Sequence, residues 1–164
     1  IDIAHNLYQK IILFSRNKIF YTKFSVPDTI DGRFDILTLL IILIVYRLSY
    51  ISKNGSKISQ SLFDLMFQDL DYSLREIGAG DAAVTKNMRK FISSYMGRQK
   101  VYINALKKND YKTLEISIQN NVFRNSNFNS TIISSLTKKI IILSKMLSEI
   151  SDEDMLSGNF EFII

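Results

Sequence analysis

The chain has no cysteine, one proline and one histidine in 164 residues, and only six glycines. Without cysteine there is no disulfide, no thiolate metal site and no thiol nucleophile, and the composition suits a reducing compartment. His5, alone and near the first residue, lacks the second histidine and convergent partners that zinc sites and Ser/His/Asp chemistry need, so hydrolase and zinc readings are poor ones. A membrane-spanning run is also missing. The most apolar stretch, "ILTLLIILIVY" from Ile36 to Tyr46, is eleven uncharged residues between Asp35 and Arg47, where about 20 are needed to cross a bilayer. Apolar all round, it reads as the buried centre of a helical bundle. No secretory signal is visible.

What is present recurs at helical spacing for most of the length, and Pro27 is the sole interruption of its kind. The expectation is an all-α, single-domain bundle of about six helices around a central apolar helix, long enough to bury roughly 70 % of its unfolded surface. The first helix is expected over about Asp2–Lys23, ended by "FSVPD". The second runs over about Asp31–Lys53 and stops at "KNGS", with Gly55 as a left-handed cap. The third covers about Ser56–Ile77 and the fourth about Ala82–Lys108. A short fifth opens at Asp110 and a sixth covers about Ser130–Ile150. A capped turn follows from Ser151, with residues 154–164 as a C-terminal tail, extended beyond Gly158.

"REIGAGDAAVTKNMRK", Arg75 to Lys90, has the look of a phosphate loop. It lacks the third glycine and preceding strand of a dinucleotide fingerprint, and the Gly-Lys-Ser/Thr of a P-loop. It is better read as helix punctuation. Gly78 ends one helix, Gly80 lets the chain turn, and Asp81 caps the next.

Winding the third helix at about 100° per residue places Lys57, Ser61, Asp64, Gln68, Asp71 and Arg75 on one polar stripe. Magnesium-binding aspartate helices need carboxylates four residues apart, but Asp64, Asp69 and Asp71 are followed at that spacing by Gln68, Ser73 and Arg75. Asp69 alone falls on the apolar side. It is therefore expected to be buried and paired with a basic side chain of another helix, with Arg98 the best candidate. In the fourth helix Val84, Met88, Phe91, Tyr95, Tyr102 and Leu106 share one side, and Lys86, Arg89, Lys90, Lys100, Lys107 and Lys108 the other. Seven basic residues and no acidic one lie between Ala82 and Lys108, so the net charge of +5 is essentially this one face. Gly97 sits in the same stripe at mid-helix, where it costs about 1 kcal/mol relative to alanine, which makes sense if something packs closely there. RNA, anionic lipid headgroups or an acidic protein would answer to such a surface, a solvated face being the plain alternative.

"GRFDILTLLIILIVYRL" from Gly32, "LFDLMFQDLDYSLREIGAGDAAVTKNMRKFISSYMGRQKVYINAL" from Leu62 and the closing "EISDEDMLSGNFEF" resemble the ubiquinol–cytochrome c chaperone family, assembly factors of the cytochrome bc1 complex. The resemblance covers nearly the whole chain. It implies a non-catalytic, cofactor-free protein that binds newly made cytochrome b at the inner face of the bacterial inner membrane, or the matrix side of the mitochondrial one. In mitochondria the family works with a small partner subunit near the ribosomal exit. The resemblance does not involve DNA. By position, the family's motifs fall on Gly32, Arg33, Phe34 and Asp35, on Leu62 to Asp81, and on Tyr95 to Arg98. Partner contacts are expected at Arg33, Phe34, Asp35, Asp64, Asp71 and Arg75, together with Lys86, Arg89, Lys90, Gly97 and Lys100. Asp69, Gly78, Gly80, Asp81 and Arg98 are expected to hold the fold. One departure matters: where the family commonly carries a histidine and often a tryptophan in its long helix, this chain has Leu40 and Ile42. A basic helical adaptor for the ribosome or RNA is the alternative reading.

Overall fold

The computed structural model describes residues 2–124 and 129–163, which form eight helices and no strand. The all-α expectation holds, with more helices than the six anticipated. Helix α1 spans Ile3–Ser15 and α2 Ile19–Thr22, so the expected single helix over Asp2–Lys23 is broken. The cause is local. Asp2 caps α1 by accepting from Ala4 N–H at 3.1 Å, but at the far end the Asn17 side chain accepts from Ile19 N–H at 3.0 Å, offering the backbone a turn in place of a continuing helix.

Helix α3 spans Ile30–Leu48, with Thr29 as its cap accepting from Gly32 N–H at 3.1 Å. It is the bundle's central helix, packed against α1, α4 (Lys53–Glu76), α5 (Asp81–Lys107) and α7 (Ser130–Glu149). Ile36 and the run from Leu39 to Ile44 are all buried, including Leu40 and Ile42. Both of these residues are thus taken up by core packing. Gly55 is not the left-handed stop expected of it. It lies within the first turn of α4, where a Cβ would come within 2.3 Å of the Leu48 carbonyl oxygen; glycine is there so that α4 can start hard against the end of α3.

Between α4 and α5, Gly78 has φ +95° and ends the helix as expected. Asp81 departs from expectation: it is the first residue of α5 and caps nothing, its carboxylate pairing with Arg75 across the turn instead. Helix α6, Tyr111–Asn121, is capped by Asp110, whose carboxylate accepts from Thr113 N–H and, at 2.7 Å, from its hydroxyl. Arg47 ties α3 to the far end of α7 by donating to the carbonyls of Leu147 and Ile150 and pairing with Asp152 at 2.7 Å. A cation at those last carbonyls also suits the helix dipole.

Ser151 caps α8, Asp152–Ser157, so residues 154–157 of the expected tail are helical. The segment beyond Gly158 is not helical and begins with a tight turn, Phe160 N–H donating to the Gly158 carbonyl at 3.0 Å. It folds back along α1, where Lys10 donates to the carbonyls of Gly158 and Phe160 and Phe162 stacks on Phe14 at 4.5 Å.

Candidate functional site

Three features gather the residues singled out from the sequence. The first is buried. Asp35, in the second turn of α3, has a side chain with no solvent exposure and is held by two guanidiniums. Arg98 donates to its Oδ1 at 2.6 Å, and Arg124 donates at 3.0 and 3.1 Å to both oxygens. Burial pushes the Asp35 carboxyl above its ordinary value, against the pull of the two arginines. Arg98 is thus spent on Asp35, not on Asp69, and Asp35 is unavailable for the partner contact expected of it. Two charges face one carboxylate, and Arg98 Nε has no partner among the described residues, so the cluster links α3, α5 and the segment after α6 without full satisfaction.

The second feature is a cleft of about 290 Å³ between α1, α3, α4 and α5. Phe34, Leu37 and Met66 form its floor and Ile30 and Ile77 its rim. Asp69 opens onto it. This corrects the expectation of a buried Asp69: the residue is exposed, and among the described residues its hydrogen bond is with the Tyr8 hydroxyl, which donates to Oδ2 at 2.7 Å. A carboxylate on the apolar side of α4 is tolerated because that side ends in an open cleft, where water reaches it. Burial, then the bond to Asp69, push the Tyr8 hydroxyl well above its ordinary range, so it stays a donor. Arg33 and Phe34 line the same cleft, with Arg33 engaged at 2.8 Å by Asp28 on the surface.

The third feature is the outward face of α5. Lys86, Arg89, Lys90, Gly97 and Lys100 are all exposed, and none of the four cations forms an ion pair with a described residue. Nothing lies within 4 Å of the place a Gly97 Cβ would take. The chain's own tail, docked on α1, is therefore not what the glycine accommodates. Exposed Ile92 and Met96 flank the stripe on one side and Val101 on the other. The polar stripe of α4 lies apart: Asp64 accepts from Gln60 at 2.9 Å, and Arg75 bridges Asp71 and Asp81, all at the surface. Among the described residues no cluster of histidine and carboxylate suits a metal ion, and no helix is long and apolar enough to cross a membrane.

Sequence reasoning missed Tyr8, Arg124 and the exposure of Ile30 and Ile77. Tyr8 and Arg124 meet their acids across 61 and 89 residues, a distance at which helical periodicity carries no signal.

Fold and surfaces together define an all-helical protein with a buried ion cluster, an apolar cleft and an outward basic face. The chain belongs to the ubiquinol–cytochrome c chaperone family, whose model matches residues 22–162. Its structure is similar to the crystal structure of the Cbp3 homolog from Brucella abortus, with a TM-score of 0.88 and 33 % identity, over 99 % of this chain and 89 % of that one. Among curated proteins nothing matches the chain. Membership supports a chaperone role in ubiquinol–cytochrome c reductase assembly, and a chaperone family implies binding in place of catalysis.

Proposed function

We propose that this protein binds newly made cytochrome b and holds it at the inner face of the energy-coupling membrane until the other subunits of the cytochrome bc1 complex join. The observation that carries this is the family match over most of the chain. The surfaces suit the task. The cations of α5, which form no ion pair with a described residue, are attracted to an anionic leaflet at roughly 1 kcal/mol each near the surface, and exposed Ile92, Met96 and Val101 beside them suit an interface between headgroup and acyl chain. Long-range attraction of this kind fades beyond about 10 Å at 0.1 M salt, so it concentrates the protein at the membrane without fixing its client. The ribosomal exit region and a small partner subunit are further occupants this face could serve.

Affinity capture from membranes of cells carrying the tagged full-length protein tests the reading. Cytochrome b is expected among the captured proteins and is retained at moderate salt. Ribosomal components alone, lost as salt rises, would instead mark a basic adaptor with no client.

A further inference from the structure

We infer that the cleft between α1, α3, α4 and α5 receives the membrane-proximal end of an unassembled transmembrane helix, with Asp69 taking the Lys or Arg that flanks it. This rests on the client reading above and gives that client a place to dock.

The cleft is largely apolar, with Arg16, Arg33 and Asp69 as the charged residues of its lining. Ile30 at the start of α3 and Ile77 just past the end of α4 are 75 % and 69 % exposed on the rim and share one apolar opening. Its volume, about 290 Å³, falls just below the range of about 300–1,000 Å³ that encloses small ligands and cofactors. It is wide enough for a few side chains from one face of a helix. Within this apolar setting stands one carboxylate, and its Oδ1 has no hydrogen-bond partner among the described residues. Arg16 lines the same cleft without reaching salt-bridge distance, and Arg33 is held by Asp28. The Tyr8 hydroxyl fixes Oδ2, so Asp69 is oriented but its charge is not matched.

An apolar groove bearing a positioned acid selects an apolar segment bearing a cation. Transmembrane helices carry that combination at their non-translocated ends, where Lys and Arg accumulate beside the apolar span. A membrane subunit not yet assembled leaves such ends free. Docking them would cover apolar surface that otherwise drives aggregation, and the acid would set register along the segment.

A benzoylphenylalanine photo-crosslinker at position 77 of the full chain, with position 142 on α7 as the control, reads the contact in cells making tagged cytochrome b. Ile142 is also exposed, at 56 %, but lies outside the cleft. A cytochrome b adduct is expected from position 77 and not from 142. Asp69→Lys should lower that adduct tenfold or more, Asp69→Asn less, and Arg16→Ala not at all. Should Asp69→Lys melt early, Ile77→Glu, with the crosslinker moved to position 30, gives the same readout at a solvent-facing site. Cytochrome b captured without an adduct from the cleft would overturn this docking site and leave the client reading intact. An adduct to a second copy of this chain would also overturn it. Absence of cytochrome b from both crosslinking and capture would remove the client reading and this inference with it.

Discussion

At Asp35 a single carboxylate, fully enclosed, is met by two guanidiniums of unequal standing. The Arg98 side chain is 10 % exposed and that of Arg124 47 %. Asp35→Ala would strand Arg98 inside the bundle, and the expected loss is about 3–5 kcal/mol, read by urea unfolding. Arg124→Ala removes a half-exposed partner and should cost about 1 kcal/mol or less by the same assay. Gly97 works the other way. It sits in open space at mid-helix, so Gly97→Ala should raise stability by roughly 0.5–1 kcal/mol. A gain in melting temperature joined to weaker membrane association would mean that the face needs its missing Cβ for a partner; a gain with no functional loss would leave the glycine without a role. None of the buried partnerships was visible in the sequence. Asp35 is the last charged residue before the apolar run of α3 and reads as a partner contact, because its two arginines lie 63 and 89 residues away in the sequence. Asp69 was legible as anomalous, because its place on the helical wheel is apolar. The wheel gives a direction on one helix, though, and cannot say that the direction ends in a cleft.

Among the elements, α3 has the clearest sequence signature. Eleven uncharged residues could only be stable inside a bundle, and the helix contacts four others. Leu39→Ala or Leu43→Ala should each destabilise by about 2–5 kcal/mol through lost transfer energy and the cavity left behind, measured by thermal or urea unfolding. A change below about 1 kcal/mol would mean that α3 does not sit at the centre. The helix ends were legible where one residue decides them, as with the capping side chains of Asp110 and Ser151 and the positive φ of Gly78. They were misread where tertiary contact decides. "KNGS" has the composition of a stop, yet α4 begins there because a glycine lets its backbone approach the Leu48 carbonyl. The gap after Ser15 is set by one asparagine side chain bonded to the backbone two residues on. Helical periodicity runs through that gap unbroken, so the pattern gave no warning.

Across the whole molecule, two surfaces stand out. The cations of α5 look outward with exposed Ile92, Met96 and Val101 beside them, and the cleft carrying Asp69 opens among α1, α3, α4 and α5. In the proposed function the basic surface holds the protein at an anionic boundary while the cleft engages a client. Changing Lys86, Lys90 and Lys100 together to glutamate should reduce cosedimentation with anionic vesicles by at least roughly a hundredfold, since each lost cation contributes about 1 kcal/mol there and each new carboxylate is repelled, with helical circular dichroism unchanged. The account as a whole rests on a transient complex with newly made cytochrome b. Pulse-labelling cells that carry the tagged protein, then capturing it through a chase, measures that complex most directly. Labelled cytochrome b should come down with the protein at the end of the pulse and leave it during the chase as the mature cytochrome bc1 complex gains label. Labelled cytochrome b that enters the complex at its normal rate without ever being captured, or in cells lacking this protein altogether, would contradict the account.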